Sequence, residues 1–130
     1  QVARVEAALA DIYVSPVRCV PYGLDVLPAR RSPRVLMLGL ERTETMMALY
    51  DALSTVLEAE GLAPEERTYR PHITLGRLDT PDPEAVHRYL QAHADQAFAA
   101  FDADQFVLYE SSLTPSGAVH TARAAYSLQP

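Results

Sequence analysis

A histidine, a threonine and an arginine stand at positions 72, 74 and 77, inside the stretch RPHITLGRL that runs from 70 to 78. In an extended chain, residues two apart point to the same side, so His72 and Thr74 would lie next to each other on one sheet face. An imidazole takes or gives a proton near neutral pH. A threonine hydroxyl can donate to a non-bridging phosphate oxygen, and a guanidinium can offset the negative charge that builds on phosphorus during displacement. The three side chains therefore suit a reaction at a phosphate ester. Arg77 has the wrong parity for that face under strict alternation. It joins the other two only if Gly76 permits a bulge or the strand ends there. Pro71 stiffens the approach to His72. The alternative for any single strand histidine is a hydrogen-bonded side chain with no chemistry.

The remaining chemically capable residues form weaker patterns. His120, in VHTARAAY, has Ala122 two positions on and Thr121 beside it, so the His-x-Thr spacing is not repeated. His87 and His93 lie six apart on a helical stretch, not at the four-residue spacing of a same-face metal pair, and read as surface residues. No combination of cysteine, histidine and acids shows metal-ligand spacing, and neither a glycine-rich phosphate loop nor a Gly-x-Ser-x-Gly elbow is present. Cys19 is the single cysteine, flanked by Val17 and Val20, and reads as a packed thiol in a chain without intrachain disulfides.

Alternation places Ile73 and Leu75 on an apolar face opposite His72 and Thr74, as a half-buried strand over 68–78 requires. Val2, Val5, Leu9 and Ile12 recur at helical spacing over 2–12. Residues 17–27 read as an extended segment broken by Pro21 and Gly23, PARRSP as a turn, and the apolar run RVLMLGL (34–40) as a buried strand. Met46, Leu49, Tyr50, Leu53, Val56 and Leu57 form a helical stripe over 43–60, with Gly61 at the stop. TPDPE supplies two prolines and a cap for a helix over 83–97. Strands over 105–113 and 119–128, joined by the turn TPSG, close the chain. Strands in pairs with interspersed helices indicate an α+β domain, with a largely antiparallel sheet and helices on one side.

The bulk properties bound the function. At 130 residues the chain is expected to form a single domain over 1–130. With 48% hydrophobic and 22% charged residues it has an ordinary globular balance, and no apolar run reaches the roughly 20 residues of a membrane span. A formal charge of −6 and a pI near 5.1 argue against broad, non-specific nucleic-acid binding. All 11 basic residues are nonetheless arginine, the side chain suited to bidentate phosphate contacts. Arg30, Arg31 and Arg34 cluster, as do Arg67, Arg70 and Arg77. The first cluster reads as a solvated turn or as an RNA contact.

RPHITLGRL resembles the second signature of the LigT-like RNA 2′,3′-cyclic phosphodiesterases, also called 2′-5′ RNA ligases, within the superfamily of phosphoesterases that carry two His-x-Thr motifs. VLPARRSPRVLMLGLE resembles the family's segment between its motifs, and LYESSLTPSGAVHTARAAYSL resembles its C-terminal hairpin. The likeness runs in order through nearly the whole chain. It implies a bilobal fold of mostly antiparallel sheets with helices packed outside, each lobe giving one His-x-Thr strand. It implies in-line attack of water on a cyclic phosphate, with one histidine as base and the other as acid, and with no metal or cofactor. Carried over, His72 would accept the proton, Thr74 would bind the phosphate and Arg77 would match the basic residue after the motif. Position 120 matches the family's aromatic position, so His120 is not expected to stand in for a first motif. That first motif is missing from this sequence. The expectation is that the opening strand lies upstream of Gln1; a second chain or outright loss are the alternatives.

The implied partner is RNA ending in a 2′,3′-cyclic phosphate, handled by a monomeric, metal-independent, bacterial-type enzyme of the cytoplasm without membrane association. A cyclic phosphodiesterase of small nucleotides, a non-catalytic module that holds a phosphorylated RNA end, and an inactive fragment are the competing readings.

Overall fold

The computed structural model describes residues 2–62 and 69–129. Its elements in chain order are α1 (Val2–Leu9), β1 (Val17–Cys19), β2 (Pro21–Ala29), β3 (Ser32–Leu40), α2 (Glu44–Ala59), β4 (His72–Arg77), α3 (Pro83–Ala92), β5 (Phe101–Ala103), β6 (Gln105–Thr114) and β7 (Gly117–Ser127). This is the α+β arrangement that the residue pattern indicates, with antiparallel pairing in β2–β3–β4 and in β6–β7. The strands β1 and β5 form a further two-stranded sheet. The chain divides into two compact units, one of residues 1–18, 44–66 and 102–130, the other of residues 19–43 and 67–101.

In the first unit, α1 buries Val5 and Leu9 and α2 buries Met46, so each helix turns its apolar stripe inward. Gly61 ends α2. It adopts a φ of +82°, which a residue without Cβ takes freely, and the amides of Gly61 and Leu62 donate to the carbonyls of Glu58 and Leu57 at 3.0 and 2.8 Å. These paired bonds satisfy carbonyls that the helix end would otherwise leave open. The β6–β7 hairpin is anchored at its base. Phe106 and Tyr126 stack with centroids 4.9 Å apart, and the Tyr126 hydroxyl donates to the Glu6 carbonyl at 3.0 Å. Burial, with the Glu6 carboxylate as a lesser influence, pushes the Tyr126 phenol above its usual 10.0. Towards its turn the hairpin is exposed on both faces; Leu113 is 92% exposed.

The second unit is built on β2–β3–β4, with β3 in the centre. Its buried residues include Val26, Met37, Leu38, Leu40 and, from α3, Leu90. The expected turn PARRSP is tighter than the sequence suggests: Ala29 pairs with Ser32, leaving Arg30 and Arg31 as the two-residue connection. Asp82 caps α3 by accepting from the Glu84 amide at 3.1 Å, with Pro83 in the first turn. The helix stops at Ala92 rather than 97. After Leu90 the sequence QAHADQA offers no large apolar side chain to bury, so further turns would gain little from packing.

Two expectations fail here. Ile73 and Leu75 are exposed, by 38% and 52%, rather than set against an apolar layer. β4 is an edge strand, and Leu75 is its unpaired residue. The strand itself begins at His72, later than 68, because Pro71 lacks the amide that a ladder needs and Thr68 lies outside the described residues. The three-residue β5 was too short to leave a periodic signal.

Candidate active site

The register of β4 on β3 settles the parity of Arg77. His72 pairs with Gly39, Thr74 with Met37, Gly76 with Leu36 and Arg77 with Val35. Between Thr74 and Gly76 the strand advances two residues while β3 advances one, so Leu75 is the extra residue of a bulge. Gly39, Met37 and Val35 alternate along β3 and share one face. Their partners His72, Thr74 and Arg77 share it too. The bulge thus corrects the alternation that would otherwise send Arg77 to the other side. All three side chains are exposed, and Arg77 makes no ion pair among the described residues. The ladder is pinned at both ends, by Leu40 N–H to the Pro71 carbonyl at 3.0 Å and Leu78 N–H to the Arg34 carbonyl at 2.8 Å.

The ring of His72 is oriented by its own backbone neighbourhood. Its Nδ1 lies 2.6 Å from the Arg70 carbonyl oxygen. A carbonyl only accepts, so Nδ1 must carry a proton, and in the neutral ring the free lone pair sits on Nε2. That is the form a general base needs, with its accepting nitrogen directed away from the backbone bond.

Asp25, which the sequence did not mark, ties this arrangement to the turn. Its Oδ1 accepts from the Val26 amide at 2.8 Å and from Arg30 Nε at 3.3 Å, and its Oδ2 is 3.8 Å from Arg70 Nη2. One carboxylate therefore joins an arginine from each of the two clusters, and Arg70 is the residue whose carbonyl holds His72. Arg30 is accordingly engaged in an ion pair, whereas Arg31 is exposed and Arg34 lines a cavity of about 420 Å³ with Ser32, Leu78, Asp79 and Thr80. Arg67 lies outside the described residues. The only advance sign of Asp25 is an acidic residue within an apolar strand, and its partners are 5 and 45 positions away.

Gly39 is a second position whose role appears only in three dimensions. A Cβ there would overlap the hydroxyl-bearing end of the Tyr22 phenol. An isolated glycine within an apolar strand is a recognisable sign of close approach. Sequence alone does not say what approaches.

The other histidines are elsewhere. His120 pairs with Ser111 across β6–β7, its Nδ1 2.8 Å from the serine Oγ. His87 is exposed, and His93 is half-buried, edge-on to the Tyr89 ring at 4.3 Å. Among the described residues no three of histidine, cysteine, aspartate and glutamate are grouped to hold a metal, and no helix is long and apolar enough to cross a membrane. Cys19 is buried.

These features have close relatives among known proteins. The RNA 2′,3′-cyclic phosphodiesterase of Thermotoga maritima is 35% identical over 101 residues, 75% of this chain and 51% of that protein. The one from Archaeoglobus fulgidus is 25% identical over 120 residues, covering 92% of this chain and 67% of the relative. This chain therefore spans about half to two-thirds of their length. The fold is shared with the Thermus thermophilus protein TT0787 (TM-score 0.71, 24% identity, 98% of this chain and 69% of that one). It is also shared with Escherichia coli LigT solved in complex with 3′-AMP (TM-score 0.69, 19% identity, 98% and 68%). The family description LigT like Phosphoesterase matches residues 38–120, a span that runs from the end of β3 through the bulged β4 to His120. With that match over more than half its length, the chain belongs to the LigT-like phosphoesterase family.

Proposed function

We propose that the protein is an RNA 2′,3′-cyclic phosphodiesterase that opens a terminal cyclic phosphate to a 2′-phosphate, with 2′-5′ ligation as the same opening by an RNA 5′-hydroxyl in place of water. The observation that carries this reading is the bulge at Leu75, which gathers an oriented imidazole, a hydroxyl and a guanidinium on one face. The named activity of the Thermotoga and Archaeoglobus relatives supports it.

The geometry supports the following roles. Nε2 of His72 takes a proton from water as the water oxygen bonds to phosphorus. Thr74 Oγ1 donates to a non-bridging oxygen, and Arg77 offsets the charge of the pentavalent state. The bond from phosphorus to O3′ breaks, and O3′ leaves with a proton supplied by a group outside this triad. The products are a 2′-phosphate and a free 3′-hydroxyl. Proton abstraction by the imidazole and charge neutralisation by the guanidinium give the attack on phosphorus its agents. The reading includes a monomeric enzyme of bacterial type acting in the cytoplasm, a reducing compartment that suits a chain with a single cysteine.

The test is turnover of an RNA oligomer ending in a 2′,3′-cyclic phosphate, with the product identified by phosphorus NMR. The expected product is the 2′-monoester, and His72→Ala should lower the rate by about 10² to 10⁴, the usual contribution of a general acid or base. Undiminished turnover by His72→Ala would sink the assignment. A mononucleotide cyclic phosphate is the second substrate to compare, because E. coli LigT was solved with the mononucleotide 3′-AMP.

A further inference from the structure

Tyr22 occupies an unusual position on the same sheet. Pro21 pairs with Leu40 and Gly23 with Gly39, so Tyr22 is the extra residue of a bulge in β2. Bulges re-aim side chains. Gly23, at a φ of +144°, supplies a backbone conformation that a residue with a Cβ rarely takes. Gly39 supplies the space, since any Cβ at that position would collide with the ring. The phenol therefore rests against bare backbone on the side to which a Gly39 side chain would point. That is the face on which His72, the cross-strand partner of Gly39, also stands. Despite this seating the Tyr22 side is open: the residue is 56% exposed.

Three separate sequence features, a bulge and two glycines, thus hold an aromatic ring against the sheet beside the candidate base. A solvent-exposed tyrosine with no structural duty would need none of them. Tyr22 stands on β2 and His72 on β4 with β3 between them, so the ring tip over Gly39 is one strand spacing, about 5 Å, from the strand of His72. That is comparable to the reach from a nucleobase across its ribose to the 2′-oxygen.

We infer that Tyr22 is a stacking platform for the nucleobase of the nucleotide whose cyclic phosphate is opened at His72. The inference rests on the phosphodiesterase reading above and adds a base-binding subsite to it. The ring offers a π-face, which every base can use, so the platform favours a base over no base and discriminates little among bases. Its hydroxyl is not required for stacking.

The experiment compares a nucleoside 2′,3′-cyclic phosphate with ribose 2,3-cyclic phosphate, which lacks the base, as the ratio of their kcat/KM values. The wild type should favour the nucleoside. Tyr22→Ala should shrink that ratio by roughly 5- to 150-fold, the span that stacking on one aromatic ring represents. Tyr22→Phe should retain it. Gly39→Ala, which forces the ring from its seat, should reduce the ratio as Tyr22→Ala does, and circular dichroism of each variant reports folding. An unchanged ratio in a folded Tyr22→Ala overturns the platform while the phosphodiesterase reading stands. Retention of the ratio by Tyr22→Leu would equally overturn it, because an aliphatic side chain offers no π-face. Wild-type protein that turns over neither compound nor the RNA oligomer overturns the reading and the platform with it.

Discussion

His72 and His120 both stand exposed on antiparallel strands, and both have a polar atom within hydrogen-bond range of Nδ1. The difference lies in what that atom can do. The partner of His72 is a backbone carbonyl at 2.6 Å, which accepts and cannot donate, so one tautomer is imposed. The partner of His120 is the Ser111 hydroxyl at 2.8 Å, which does either, so this contact imposes neither. The surroundings differ in the same sense. Along its own strand face His72 has Thr74 and, through the bulge, Arg77. His120 has Ala118 and Ala122 two residues to either side, with Leu113 and Tyr109 opposite them. A histidine becomes a candidate base through a fixed tautomer and neighbours that can hold a phosphate, and exposure alone supplies neither.

The largest expected effect separates the two histidines directly. Where His72→Ala should reduce turnover of a cyclic-phosphate RNA end by about 10² to 10⁴, His120→Ala should leave it within about twofold in the same assay. Equal losses in the two variants would erase the distinction.

Next in size is Arg77. A charge-assisted hydrogen bond is worth about 1.5–3 kcal/mol, so Arg77→Ala should lower kcat/KM by roughly 10- to 150-fold. Arg77→Lys keeps the charge without the planar fork and should recover part of the loss. An Arg77→Ala enzyme with wild-type kinetics would show that the bulge does not bring the guanidinium to the phosphate.

The smallest effects concern stability and contrast the two ends of the β6–β7 hairpin. Tyr126→Phe removes the hydrogen bond to the Glu6 carbonyl at the anchored end and should cost about 1 kcal/mol in denaturant unfolding. Leu113→Ala, at the exposed end, should change stability by less than about 0.5 kcal/mol. The anchored end also carries a pH signature. Because the Tyr126 phenol is raised above 10.0, the folded state holds that proton more tightly than the unfolded chain. The stabilisation is complete below pH 10 and declines as pH rises through the folded value. Alkaline unfolding of Tyr126→Phe should lack this component; identical alkaline curves would contradict it.

Much of the site was legible because its chemistry is compressed into β4. The pairing of His72 with Thr74 needs only strand alternation, and Gly76 flagged where alternation could break. Whether it broke at a bulge or at the strand's end depended on the register against β3, which lies more than 30 residues earlier. Asp25 was illegible for the same reason: its meaning comes from Arg70, brought close by sheet formation and not by spacing. The helices followed their apolar stripes, except that α1 ended at Leu9, short of Ile12, and α3 stopped where the stripe ran out of large side chains. Burial of Ile73 and Leu75 was misjudged because alternation names a face but does not say whether anything packs against an edge strand.

The most direct test of this account is a long-range nitrogen NMR spectrum of the histidine rings, taken at a pH where the imidazoles are neutral. His72 should show a protonated Nδ1 and an unprotonated Nε2 as a single tautomer. A His72 ring that carries its proton mainly on Nε2 would contradict the account, because the nitrogen assigned to accept the proton from water would already be occupied.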